Sequence, residues 1–448
     1  MTTDYTKDLF DEYGRPIIAI AGAETGLADA YGRPYKALAT LPVPTGRAGS
    51  YIIAAADAPD TWKAQADALC DGAADEVQIN AAIAAGHRDI LLSTGTFYLA
   101  DSLQSEDDNL HLHGAGKATI LTRTANITLI EISNASEVIL EKLALVSDRT
   151  AYSGDGLSLA NCVNTTLRDI KFSNINGQAL QVETCYGLQV EDCLFAYCGE
   201  SAAAAVRFTA ASDKNTHISF RGCLFEPNYY ADVEIVNALD SLRFESCWFE
   251  GYDSGGGVLQ PADAHLKISC TVYGVFNVYI DKCKFYMPAG WSGQQVDCAY
   301  ANQIKILNSS FSRGGASSGA QIYLRDGGND CLIEGCSFMD SEGYSIDASK
   351  VNLKVNNCTF TTCVNAAIRF EYDAKVTNCK FISCPEGVRV RTSEGSVIGF
   401  NHFTGGTTDI VEQAAAVNCL YIGNYLTGAT SFSGTTPQIR SNIGLADN

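Results

Sequence analysis

Val355-Asn-Asn-Cys358-Thr-Phe360 and Val376-Thr-Asn-Cys379-Lys-Phe381 are two copies of one six-residue frame, set 21 residues apart in a chain of 448. Toward the C-terminus the frame returns as Ile398-Gly-Phe-Asn401-His-Phe403. Toward the N-terminus it runs back through Ile333-Glu-Gly-Cys336-Ser-Phe338, Ile306-Leu-Asn-Ser309-Ser-Phe311, Ile280-Asp-Lys-Cys283-Lys-Phe285 and Phe244-Glu-Ser-Cys247-Trp-Phe249. Phe220-Arg-Gly-Cys223-Leu-Phe225 and Val190-Glu-Asp-Cys193-Leu-Phe195 continue it, and weaker copies end at Phe172 and Leu426. Successive Phe positions lie 21 to 36 residues apart, a floor with insertions, which is how stacked repeats read.

Inside a copy the apolar residues alternate, as on half-buried strands: Leu188 and Val190, then Cys193 and Phe195. The phase breaks once, between Val190 and Cys193, which predicts a tight bend between two short strands. Before the Cys position stands Asn or Asp in many copies (Asp169, Asp192, Asn308, Asn357, Asn378, Asn424). These residue types tolerate left-handed backbone angles, so a column of such turns is expected. Units rich in Val, Ile, Thr, Phe, Cys, Gly and Asn do not form helical repeats. The predicted fold is all-β, a single-stranded parallel β-helix in which each coil stacks its Phe, Cys and Ile on the next. The seventeen cysteines are then inward fillers with reduced thiols, since no paired C-x-x-C spacing is present and the six histidines have no cysteine nearby. No metal site is expected from that pattern.

Ahead of the coils, Cys70 to Gly86 has Ala-rich propensity, early acids and a closing Gly, which predict a helix that lids the first coil. Asp89-Ile-Leu-Leu-Ser-Thr-Gly95-Thr-Phe-Tyr-Leu99 and Leu110-His-Leu-His-Gly114-Ala-Gly116-Lys-Ala-Thr-Ile120-Leu follow. In this order the three segments resemble the N-terminal cap and first coils of the pectin-lyase-like superfamily of right-handed β-helices, with the flavour of bacteriophage tailspikes and virion appendages. The division expected is an arm over 1–49, cap and first coils over 50–120, coils over 121–430 and a closing segment over 431–448.

The arm carries two D-x-Y-G-R-P elements, whose Tyr13, Arg15, Tyr31 and Arg33 are residue types favoured as docking anchors. The resemblance implies a homotrimer, docked on other virion proteins through the arm and directed at a host-surface glycan. It also implies a virion location after assembly in the host cytoplasm. Consistent with this, the first ten residues show no basic-then-apolar leader and no window has the length of a membrane span. With 51 acidic and 31 basic residues the chain carries a net charge of −20, which disfavours nucleic acid as a partner.

Candidate ligand groups fall in loops and on one strand. Arg389-Val-Arg391 projects two guanidiniums from one strand face toward an acidic sugar, and Tyr229, Tyr230, Tyr252 and Trp291 sit in insertions that offer platforms for sugar rings. Superfamily hydrolases use clustered Asp, and the lyases a base with Ca²⁺ held by carboxylates. Asp155 stands alone in a Gly-Asp-Gly turn, and Asp297, Asp326, Asp347 and Asp373 recur on later coils without a matching signature, so catalysis, as a depolymerase on an acidic glycan, stands as an alternative to binding. No cofactor is expected beyond Ca²⁺ for a lyase, and a non-catalytic structural or decoration protein is the third alternative.

Overall fold

The computed structural model describes residues 49–448 except 201, 211–213, 237–238, 252–263, 270–273, 292, 316–318, 326–329, 350 and 444–448. The arm's Tyr13, Arg15, Tyr31 and Arg33, and the candidates Tyr252 and Asp326, lie outside the described residues. From Gly49 on, the chain is one compact unit.

Three parallel sheets wrap a single core. Among the described residues they hold seventeen, thirteen and fourteen strands, and the chain visits sheet one, sheet two and sheet three once per coil. One coil shows how: Gln189–Glu191 in sheet one, Leu194–Ala196 in sheet two, Val206–Thr209 in sheet three. The next coil repeats the path with Asn215–Arg221, Leu224–Phe225 and Ala231–Ile235. Each strand pairs in parallel with its counterpart one coil on, as Phe195 with Phe225 and Val190 with Phe220. This is a parallel β-helix, as the repeat predicts, and it is right-handed, as the resemblance implies.

The Phe column of sheet two is continuous. Phe172, Phe195, Phe225, Phe249, Phe285, Phe311, Phe338, Phe360, Phe381 and Phe403 stack ring on ring at centroid separations from 4.5 to 5.0 Å. The spacing matches the 4.7–4.9 Å between neighbouring strands, so one ring per coil fills the interior without a gap.

The bend before the Cys is left-handed, with φ of 50° at Asp169, 53° at Asp192, 49° at Asn308, 52° at Asn357 and 55° at Asn378. Asn424 differs from expectation. Gly423 takes the left-handed angle there, φ 64°, and Asn424 occupies the inward Cys position, fully buried. The same substitution occurs at Asn401, and the two side chains stack with Asn442: Asn401 Nδ2 donates to Asn424 Oδ1 at 3.1 Å and Asn424 Nδ2 to Asn442 Oδ1 at 2.9 Å.

The reason lies in the bend's amide, which needs an acceptor inside the solenoid. Cys379 N donates to Asn401 Oδ1, Cys283 N to Ser309 Oγ, and Cys336 N to Cys358 Sγ. Each inward side chain therefore accepts the turn amide of the coil before it, and Cys, Ser and Asn all serve. The sixteen described cysteines are buried free thiols. Burial pushes the Cys198 thiol up to about 12, which makes it inert.

A helix, Glu76–Ala84, packs against the strands Tyr51–Ala54, Gly95–Leu99 and Leu103–Ser105 through buried Ile79, Ala82 and Ile83. Asp75 ties its start to the coil, Oδ1 accepting from Gly72 N and Oδ2 from Tyr98 N. Among the described residues no helix is long and apolar enough to cross a membrane.

Near the C-terminal coils a carboxylate is enclosed. Glu412 and Tyr421 are both fully buried, and neither the carboxylate nor the Tyr421 hydroxyl makes a well-formed hydrogen bond among the described residues. Burial pushes the Glu412 carboxyl above its ordinary value, offset only in part by the nearby Tyr421 and Cys419. The folded state thus favours the protonated acid, whose contribution is fullest below the ordinary carboxylate range and falls as pH rises through the raised value. Glu412→Gln should therefore gain stability relative to the parent from about pH 4 to about pH 8, measured by chemical denaturation at each pH. A difference that is flat across that range would contradict this.

Candidate functional site

Alternation along sheet three sets a column of outward side chains in register over eight coils. The column runs Arg207, Glu234, Lys267, Asp297, Tyr323, Asp347, Arg369, Arg389. Each neighbour is a paired residue on the adjacent strand, so the column follows the solenoid axis at about 4.8 Å per step.

Three parts of the column share a composition of acid, cation and tyrosine. In the first, the Lys267 ammonium lies 4.5 Å from the centre of the Tyr230 ring and bonds to its hydroxyl, which also donates to Glu234 Oε1. Glu234 is itself paired with Arg207, Nε to Oε2 at 3.2 Å. In the second, Arg325 grips Asp297 through Nε at 3.2 Å and Nη2 at 2.8 Å and lies 5.3 Å over Tyr323. In the third, Arg369 holds both oxygens of Asp347, with Nε at 2.8 Å, and lies 4.0 Å over the Tyr344 ring, donating Nη1 to its hydroxyl at 3.1 Å. Tyr323 and Tyr344 meet in a small apolar cluster with Ala320 and Ala366, separate from the main core. Burial, with Asp347 and Asp297 on either side, raises the Tyr323 phenol, so it stays a neutral hydrogen-bonding group.

The carboxylates lie beneath the cations. Glu234, Asp297 and Asp347 are 6%, 4% and 4% exposed. Fork-to-fork pairing with Arg fixes the geometry of Asp297 and Asp347. Both oxygens of each carboxylate are thus engaged by a guanidinium. The strip therefore offers cation–tyrosine pairs and fixed polar forks, with Tyr230 and Tyr323 partly exposed and Tyr344 buried.

Of the residues singled out from sequence, Tyr230 and Arg389 fall on this strip, six coil steps apart, about 29 Å. Arg389 is held by Glu386, Nε to Oε2 at 2.6 Å, and Arg391 is paired with Glu371. Tyr229 is spent on the fold: the Arg149 guanidinium covers its ring at 3.4 Å and donates to Tyr197 O and Gly199 O. Trp291 sits in a loop whose Gly290 N donates to both oxygens of Glu342, and its buried indole N–H has no partner among the described residues.

The aspartates divide. Asp297 and Asp347 share the column two coils apart, with Tyr323 between. Asp155 lies elsewhere, accepting from Gln178 N, with its carboxyl raised by burial. Asp373 accepts from Glu394 N on the exposed surface. Glu234, Lys267, Tyr323, Arg325, Tyr344 and Arg369 were missed by sequence reading. Coil-to-coil register would have found them, because insertions between the Phe positions hide the alignment of sheet three.

The coils and the outward column define a right-handed parallel β-helix with a charged and aromatic strip along one sheet. Residues 268–403 match the family described as "Right handed beta helix region". No curated protein matches the sequence. Among solved structures, Geobacillus virus E2 ORF18 is similar over 83% of this chain and 59% of its own, at 17% identity and a TM-score of 0.38. Bacteriophage CBA120 tailspike protein 3 is similar over 84% and 59%, at 11% identity and 0.48. The A-module of an Azotobacter vinelandii mannuronan C-5 epimerase is similar over 84% and 97%, at 12% identity and 0.40. The chain thus spans under two thirds of the length of the two viral proteins.

Proposed function

We propose that this protein is a phage-type appendage β-helix that binds a host-surface polysaccharide along the outer face of sheet three. The observation that carries the reading is the register of the column: one fixed polar or aromatic side chain per coil, from Arg207 to Arg389, along the axis of a rigid rod. An extended polymer laid along that axis meets a new contact at each step. The partly exposed Tyr230 and Tyr323 suit apolar contact with sugar rings, and the outer arginines Arg389 and Arg391 suit the carboxylates of an acidic glycan. The clamped Asp297 and Asp347 favour binding over hydrolysis. In this reading the N-terminal arm docks on the particle and the protein works as an oligomer exposed on a virion.

The test is a panel of bacterial capsular, exopolysaccharide and lipopolysaccharide preparations, with and without Ca²⁺, scored for binding, for new reducing ends and for unsaturated uronate absorbance. Binding to a member of the panel is expected. Tyr323→Ala or Arg389→Gln should weaken it about tenfold or more, as loss of an anchor does, while Arg168→Gln on sheet one leaves it unchanged. Failure to bind across the panel, or equal binding by all three variants, contradicts the reading. Cleavage with either product end would replace the binding role by a depolymerase.

A further inference from the structure

Outside that strip, at the N-terminal end of sheet one, three metal-ligating side chains converge. His111 and His113 alternate on the strand His111–Gly114, so both rings leave the same face, and they stack at 4.3 Å. Asp89 pairs in register with His111 from the coil before. Asp89 Oδ1 lies 3.1 Å from His111 Nδ1 and 3.0 Å from His113 Nε2, and one donor atom from each of the three falls within 4.8 Å of the others.

We propose that Asp89, His111 and His113 form a binding site for a divalent transition-metal ion of the Zn²⁺ class. Two ligands each about 2.1 Å from one ion, at tetrahedral or octahedral angles, stand about 3.0–3.4 Å apart, which is the separation of Asp89 from each imidazole. Two imidazoles and one carboxylate suit Zn²⁺, Ni²⁺ or Cu²⁺ and not the oxygen-only preference of Ca²⁺ or Mg²⁺.

Outer groups complete the arrangement. Ser50 Oγ donates to Asp89 Oδ2 at 2.7 Å, leaving Oδ1 for the ion. With His111 Nδ1 turned to Asp89, its Nε2 has no hydrogen-bond partner among the described residues and faces Glu141 Oε1 at 3.6 Å. A carboxylate behind a ligating histidine fixes the ring and raises its basicity. Glu141 stands one coil further on, opposite His113, and is anchored by Arg168 at 3.3 Å and Lys142 at 3.2 Å. An ion here joins successive coils at the end of the solenoid and keeps coordination positions open to water.

The sequence signal was His-x-His on a strand, with an Asp one coil earlier; a search confined to cysteine spacing passes over it.

The experiment is calorimetric titration of the full chain, stripped with chelator, against ZnCl₂, NiCl₂ and CaCl₂, with the Co²⁺ visible spectrum as a readout of nitrogen ligation. One Zn²⁺ per chain should bind, with a rise in melting temperature, and Ca²⁺ should not compete. Asp89→Asn and His113→Ala should abolish binding, Glu141→Gln should weaken it about 10–100-fold, and His402→Ala should leave it intact. Circular dichroism confirms that each variant is folded. No Zn²⁺ bound to the folded parent, or the same binding by Asp89→Asn as by the parent, overturns the proposal.

Discussion

Phe249→Ala is expected to destabilise the middle coils by about 3–5 kcal/mol, the range for truncating a buried aromatic. Phe249 is fully buried, with Phe225 and Phe285 each 4.6 Å away and nearly parallel. Removing the ring leaves a cavity walled by two rings that cannot close over it, because each is fixed on its own strand. A solenoid is stabilised by neighbouring coils, so the loss should be local. Hydrogen exchange should speed in the strands around 225, 249 and 285 while those near 381 and 403 hold. The control is adjacent: Trp248 is 43% exposed on the outer face, its ring 4.9 Å from the Lys284 ammonium, and Trp248→Ala should cost under about 1 kcal/mol. Equal effects at 248 and 249 would mean that the alternation is assigned to the wrong faces.

Asp232→Ala should be as damaging, for a different reason. Asp232 and His265 are both fully buried on neighbouring strands of sheet three. Asp232 Oδ1 accepts from Asn228 Nδ2 at 2.7 Å, its Oδ2 meets His265 Nδ1, and His265 Nε2 faces the Tyr286 carbonyl oxygen at 3.0 Å. A carbonyl only accepts, so Nε2 donates to it, and the contact between Nδ1 and the Asp232 carboxyl needs a second proton shared between the pair. Deleting the acid strands the imidazole and the Asn228 amide inside the core, at about 3–5 kcal/mol. Replacing both partners, as Asp232→Leu with His265→Leu, should cost less than Asp232→Ala alone, since no polar group is then orphaned. A double-mutant cycle by denaturant unfolding reads this coupling, and additive losses would contradict it.

The core was legible because it repeats. Cys and Phe two residues apart, recurring at a floor of 21 residues, define the coil, its inward face and its bend. What escaped was set by contacts between coils. Asn424 reads as a turn residue beside Asn357 and Asn378, yet Gly423 takes that angle and Asn424 turns inward, because the amide of the preceding coil needs its oxygen. The site was less legible for the same reason. Asp297, Tyr323 and Asp347 become neighbours only once sheet three is in register, and the loops between Phe225 and Phe311 vary that spacing. Tyr230 and Arg389 were found by residue type. Tyr229 was found by the same rule, but its ring is covered by Arg149, a contact between distant loops.

The most direct test of a glycan strip on sheet three is hydrogen exchange or radical footprinting of the full chain with and without a polysaccharide that it binds. Protection is expected along the strands carrying Glu234, Asp297, Tyr323, Asp347, Arg369 and Arg389, with sheets one and two unchanged. Protection confined to sheet one or sheet two would contradict the account.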